Sequence, residues 1–370
     1  MEALCTSVDV VRIRKANIVR DREAAMERIA GYTDKEFKRR FRMFRYQFDL
    51  LVDTIRTKLE PQSAFAKQCA INSSGSWVRA ELKLAATLRV LAGGSYMDAA
   101  ELYAIEESSF HKNTFWPTIV AICNSTAPCL DNVLFPFNGF DSACCFALYS
   151  CCCLPALKYI FCLLLLPSPS TICDTSTDED ALRKHEGTFS RFQKHFPGTV
   201  AAGDGCAFRI KRPSEREVEG DVQSHYTRKY SWAYGFVLFC DGDLNIMSIE
   251  ASHVASTHDA GMYATSGVHE AIEQKELPSW AHVVLDEAFG CTDQELVAWS
   301  QGKNALSQEK DAFNYYLSAQ RQSVERVFGV LHNRWGILWR PMGFSFDRYK
   351  FILVALSRFV CVARSFTTHM

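Results

Sequence analysis

The sequence predicts an all-helical N-terminal region followed by an α/β core with a mixed sheet and flanking helices. Two observations of pattern carry this. Residues 1–130 show apolar positions at helical spacing, and after Asp174 the texture changes to short β-branched runs alternating with helical ones. Composition is the third: 48% of residues are hydrophobic and 22% charged, enough apolar material for a sizeable core. The 370 residues accommodate two or three domains of about 100–200 residues each. The divisions fall at 1–130 for the helical region, 131–180 for an atypical apolar and Cys-rich insertion with its linker, and 181–365 for the core. The net charge of -1 argues against a protein that simply coats nucleic acid, because phosphate neutralisation needs an excess of Lys and Arg.

The N-terminal residues lack the apolar run of a secretory signal. Lys35 to Arg45 interleaves cations with Phe37, Phe41 and Phe44 at helical spacing, which predicts one amphipathic helix. It serves either as a solvated helix packed on a core or as a phosphate-contacting face. Residues 77–123 read as three helices, with Gly93 and Gly94 stopping the first and Ser95 capping the second. Two short helices tightly joined to a third fit a helix-turn-helix. Ser108, Ser109, His111, Lys112 and Asn113 then lie near the start of the recognition element, although helical hairpins of this shape also occur in folds that never meet DNA.

Residues 143–166 are almost unbroken apolar sequence, long enough for a bilayer, with one Lys and one Pro inside. Three readings stay open: a membrane helix, a buried helix, or translated sequence foreign to the folded protein. A membrane span between a DNA-binding-like region and a soluble core serves neither, so no membrane association is expected. The fifteen cysteines include no pair of CxxC units, which supports neither a zinc site nor a disulfide framework.

In the core, residues 199–203 read as a strand ending on Asp204, and 207–210 continue it. Residues 232–240 and 244–249 form two strands around the turn Asp241, Gly242, Asp243. Residues 258–274 read as a helix, 281–285 as a buried strand ending before Asp286, 313–334 as a longer helix carrying Glu325, and 348–365 as a last apolar helix. Acids at two strand ends and on a following helix, in this order, are the layout of an RNase H-like nuclease core. Carboxylates converging without a cation would repel. Their oxygens suit Mg²⁺ or Mn²⁺, and two such ions can activate an attacking oxygen and stabilise a leaving one. Each acid alone has another explanation. Asp204 and Gly205 can form a turn, Asp286 can cap a helix starting near Thr292, and Glu325 can pair with Arg321 one turn earlier.

Four blocks then resemble the nuclease domain of PIF/Harbinger transposases: Asp204 and Gly205 with IKRP at 210–213, STHDA at 256–260, VVLDEAF at 283–289, and FNYYLSAQRQSVERVFG at 313–329. The last is the most specific. The similarity covers about residues 180–350, and residues 40–125 look like that family's helix-turn-helix segment. The resemblance implies Asp204, Asp286 and Glu325 as catalytic metal ligands, Asp259 as a fourth ligand, and His258 and Arg321 as accessory residues. It further implies two Mg²⁺ or Mn²⁺ ions, double-stranded DNA as substrate at transposon terminal repeats and target site, a Myb-like DNA-binding partner protein, a homo-oligomer, and the nucleus. The chain departs from the family at Cys206 and Ala207, where Thr and then His or a similar residue are usual, and in the neighbours of Asp286; the acids themselves are spared. The rival reading is a domesticated or decayed relative that only binds DNA or a protein.

Overall fold

The computed structural model describes residues 20–71, 77–125, 179–189, 196–227, 231–254, 259–300 and 306–364. The apolar block at 143–166 and His258 lie outside them. The N-terminal part is helical: α1 (Arg22–Ala30), α2 (Asp34–Phe41), α3 (Arg45–Leu59), α4 (Ala64–Ile71), α5 (Ala80–Leu91) and α6 (Tyr96–Leu102). A 3₁₀ turn, a wide π turn at His111–Phe115 and α7 (Trp116–Cys123) complete it. Ser95 caps α6, accepting from the Met97 N–H as its position predicts. The π turn has a local cause. Pro117, in the first turn of α7, has no N–H to return to the preceding turn.

The amphipathic stretch from Lys35 is not one helix. It breaks at Arg42, which takes a left-handed conformation (φ 62°), and Phe44 becomes the N-cap of α3. Phe37 and Phe41 are nevertheless buried, their rings 4.6 Å apart and both against Phe48. The aromatic face exists, folded across a bend.

Five strands form a mixed sheet: β1 (Thr199–Arg209), β2 (Ala233–Cys240), β3 (Ile246–Val254), β4 (His282–Val284) and β5 (Glu295–Leu296), in the order β3-β2-β1-β4-β5. The first three are antiparallel, whereas β4 pairs parallel with β1 and β5 parallel with β4. The helices around it are α8 (Glu179–Thr188), α9 (Asp259–Ala264), α10 (Gly267–Glu273), α11 (Gln308–Arg334) and α12 (Tyr349–Arg364). Strand alternation sends Val237 and Phe239 into one apolar cluster with Met262, Tyr263 and Ile272, and sends Phe236 and Leu238 into another with Val324 and Val327 of α11. Helices therefore cover both faces, as a buried parallel edge requires.

Three expectations about elements are corrected. β1 does not end at Asp204: the strand runs on to Arg209, and Asp204 pairs with Leu238 in mid-strand, so it is no turn residue. The helix expected over 258–274 is two, because Ser266 leaves helical geometry and caps α10 with its hydroxyl on the His269 N–H. No helix starts near Thr292 for Asp286 to cap. The Thr292 hydroxyl accepts from the Glu295 N–H, as in half of a capping box, and donates to the Glu295 carboxylate, but the chain then extends into β5.

The helical region and the sheet share one apolar core. Phe110, Phe115 and Ile122 lie in the same cluster as Trp335, Ile352 and Phe359. Buried Arg358 of α12 donates to the carbonyls of Ile122 and Ser125 at 2.7 Å each. Among the described residues no helix is long and apolar enough to cross a membrane.

Candidate active site

Parallel register places the first two acids side by side. Ala202 pairs with Val284 at the end of β4, so Asp204, two residues on in β1, and Asp286, two residues on in the loop that leaves β4, come to the same side of the sheet. A period of two also keeps Asp204 on the face of Ala202 and Asp286 on that of Val284, both of which pack in the α11 cluster. Gly203, between Ala202 and Asp204, is needed for close approach. A Cβ there would meet the Phe239 ring at 2.3 Å and Leu285 at 2.9 Å.

Above this pair lies α11, whose position along the sheet is set by buried polar contacts. The Thr199 hydroxyl bonds Gln320 at 2.8 Å and the His282 Nε2 at 2.7 Å. Burial drives the His282 pKa down to about 4, so the ring is neutral and can share a hydrogen bond in an apolar setting. One residue after Gln320, Arg321 reaches down to both acids. Its Nη1 stands 2.9 Å from the Asp286 Oδ1 and its Nη2 3.4 Å from the Asp204 Oδ2. Asp204 also accepts from the Gly205 N–H at 2.9 Å. The side chains of Arg321 and Asp204 are only 16% and 19% exposed, so this cation is poorly screened; Asp286 is 42% exposed and opens the pair to solvent.

Arg321 bridges the two strand acids rather than forming the alternative i,i+4 pair with Glu325. Glu325 follows one turn later on α11 and is exposed. Asp259 begins α9, and its side chain is outside the described ones. Among the described residues no three His, Cys, Asp or Glu side chains gather as a metal-holding group. Two carboxylates converging on one cationic group do, however, fit a hard cation. The guanidinium stands where a positive charge is needed, and the donors are all carboxylate oxygens.

A buried cluster behind the site was not read from the sequence. Glu295 is 2% exposed and accepts from the Tyr263 hydroxyl, from the Thr292 hydroxyl at 2.8 Å and, at 2.8 Å, pairs with the His269 Nδ1. These hydrogen bonds hold its carboxyl below the usual range against the upward push of burial. Tyr263 sits one turn after Asp259 on α9 and packs edge-on against Phe289, whose N–H bonds the Asp286 carbonyl. Glu295 therefore ties the helix that begins with Asp259 to the loop of Asp286. The only signal in the sequence was the TxxE spacing, which reads as a helix cap.

The residues expected to contact DNA lie in the helical region, outside the acids' elements. Ser108, Lys112 and Asn113 are exposed, and the Ser109 hydroxyl bonds the Glu106 carbonyl at 3.3 Å. His111 is turned inward, its ring against Tyr96, Phe110, Phe115 and Phe344.

Residues 203–359 match the family described as DDE superfamily endonuclease. The match runs from mid-β1 into α12 and contains Asp204, Asp286, Arg321 and Glu325. It supports the DDE superfamily for this part of the chain and suggests a transposase-like nuclease, in a family that generally uses divalent metals and acts on DNA. Neither a curated protein nor a solved structure matches the chain.

Proposed function

We propose that the chain is a divalent-metal-dependent DNA endonuclease of the PIF/Harbinger transposase type, with an RNase H-like core. It would cut double-stranded DNA at transposon terminal repeats and transfer the freed 3′ ends to a target site. The observation that carries this reading is the convergence of Asp204 and Asp286 on the Arg321 guanidinium. Asp204 and Asp286 would hold Mg²⁺ or Mn²⁺, with Glu325 and Asp259 as further ligands and two ions in all. Bound there, the metal supplies Lewis-acid polarisation of the phosphodiester and lowers the pKa of the attacking water. Arg321, freed from the carboxylates, is positioned to hold a phosphate oxygen through its planar pair of N–H groups. His258 keeps an accessory, positioning role. Ser108, Ser109, Lys112 and Asn113 would contact DNA from the helical region, together with a Myb-like partner protein, in a nuclear homo-oligomer.

The test is cleavage of duplex carrying the element's own terminal repeats, with Mg²⁺ or Mn²⁺, by the wild type and by Glu325→Gln and Asp286→Asn. The wild type should cut, and each variant should be at least about 100-fold slower, since lesser changes outside the ligand sphere already cost about 10–100-fold. Equal cutting by all three contradicts the assignment. One observation favours the alternative, a decayed relative that only binds DNA or protein: the acid pair is already bridged by Arg321, with Glu325 a turn away. Duplex binding without cutting by the wild type, with its partner protein supplied, selects that alternative.

A further inference from the structure

A cavity of about 290 Å³ lies beyond the far end of β1, away from the acids. Lys211 and Arg212 form one wall, and Phe344, Phe346 and Tyr349 are among the other lining residues. Chain geometry puts the cations there. β1 continues past Arg209 through an Ile210–Met342 bridge, and the Lys211 N–H donates to the Met342 carbonyl at 2.8 Å, which fixes both residues against the 342–346 segment.

The room for the Lys211 side chain is built in. A Cβ on Gly343 would stand 2.9 Å from the lysine Cδ and Cε and 3.0 Å from its Nζ, so glycine here lets the ammonium lie across the backbone. Neither Lys211 nor Arg212 is paired with a carboxylate among the described residues, although Glu217 lines the same cavity. The Glu217 carboxylate is instead turned onto Ser214, accepting from its N–H at 3.0 Å and its hydroxyl at 2.8 Å. Two adjacent exposed cations thus flank the cavity, Lys211 against Gly343 and Arg212 with its guanidinium 5.7 Å from the Trp232 ring, and neither is in an ion pair among the described residues.

We propose that this cavity seats a backbone phosphate of the DNA duplex on which the candidate active site acts, an inference that rests on the DNA reading above. Position supports a duplex over a free anion. Lys211 lies seven residues along the extended chain from Asp204, roughly 23 Å, which is the axial rise of about seven base pairs. One wall of the cavity packs on the helical region. Phe344 stacks on Phe115 with centroids 5.6 Å apart and meets Trp116 edge-on, in the segment that carries exposed Lys112 and Asn113.

The experiment measures duplex affinity by fluorescence anisotropy over a range of salt, with the full chain and without metal so that nothing is cut. The proteins are the wild type, the double variant Lys211→Gln with Arg212→Gln, and Gly343→Ala. Each phosphate contact contributes a slope of about 0.9 in log affinity against log salt, so the double variant should lose about 1–2 units of slope. Gly343→Ala keeps every charge but displaces the ammonium, and should lose up to about one unit. Wild-type slopes in both variants overturn the proposal and leave the nuclease reading standing. A wild type that binds no duplex at low salt overturns both.

Discussion

Arg321 links the two strand acids. It holds two carboxylates that would otherwise face each other with no positive charge between them, and it competes with any metal for their oxygens. Arg321→Gln should lower metal-free stability by about 1–3 kcal/mol, since a partly buried charge pair loses its partner. The same change should tighten Mn²⁺ binding, because the metal no longer displaces an internal cation. Melting curves with and without Mn²⁺ check both: the deficit seen without metal should shrink on loading. A variant whose deficit persists in saturating Mn²⁺ marks Arg321 as scaffold only. The sequence showed Asp204, Asp286 and Glu325 as acids on suitable elements, and the order of those elements was legible. What Arg321 touches was not. Helical spacing offers Glu325 as its partner, whereas the bridge to the strand acids depends on how α11 lies across the sheet, which no local pattern encodes.

At the scale of elements, the acids are placed by strand parity, by the position of α11 and by the tie through Glu295. The His282–Thr199–Gln320 chain fixes α11, and its protonation gives a signature. Burial takes His282 from 6.5 to about 4 in the folded protein. A base depressed on folding stabilises fully above its unfolded pKa and loses that stability as pH falls toward the folded value. The loss therefore runs between pH 6.5 and about 4, at about 1.4 kcal/mol per unit and roughly 3 kcal/mol in all. His282→Gln should flatten this part of the stability–pH curve, measured by denaturant unfolding at several pH values; an unchanged slope would show that His282 titrates normally. Glu295→Ala strands the buried Tyr263 hydroxyl and removes the partner of His269 and of the exposed Thr292, and should cost about 3 kcal/mol. If Glu295 positions the acids, that variant also weakens Mn²⁺ binding, and Glu295→Gln restores part of it. Long periodic elements were readable: the β2–β3 hairpin and α11 lie where hydrophobic period and turn residues put them. Two-residue β5 was not, because a capping-box spacing is the same string of residues whether a helix or a strand follows. The split between α9 and α10 was likewise hidden, since Ser266 acts as a cap only once the chain turns there.

For the whole molecule, the shared core makes the helical region part of what holds the sheet. Trp335 is fully buried, its ring 5.3 Å from Phe359, and Phe344 packs into Phe115 and Trp116 from the other side of the junction. Trp335→Ala should destabilise the protein by about 3–5 kcal/mol. Calorimetry should show one cooperative transition that shifts as a unit; two independent transitions would contradict a common core. The sequence indicated both halves but not this union, because apolar periodicity says which face is buried and is silent about what covers it. The same limit hid the Lys211 cavity, which two loops and a strand end form only together. On this reading Asp204 and Asp286 together hold a divalent cation. Titration calorimetry of Mn²⁺ into the wild type and Asp204→Asn tests it most directly. The wild type should bind, and the variant should bind at least about 10-fold more weakly, the lower end of what even an outer-sphere change costs; equal affinity in the two proteins rules the shared site out.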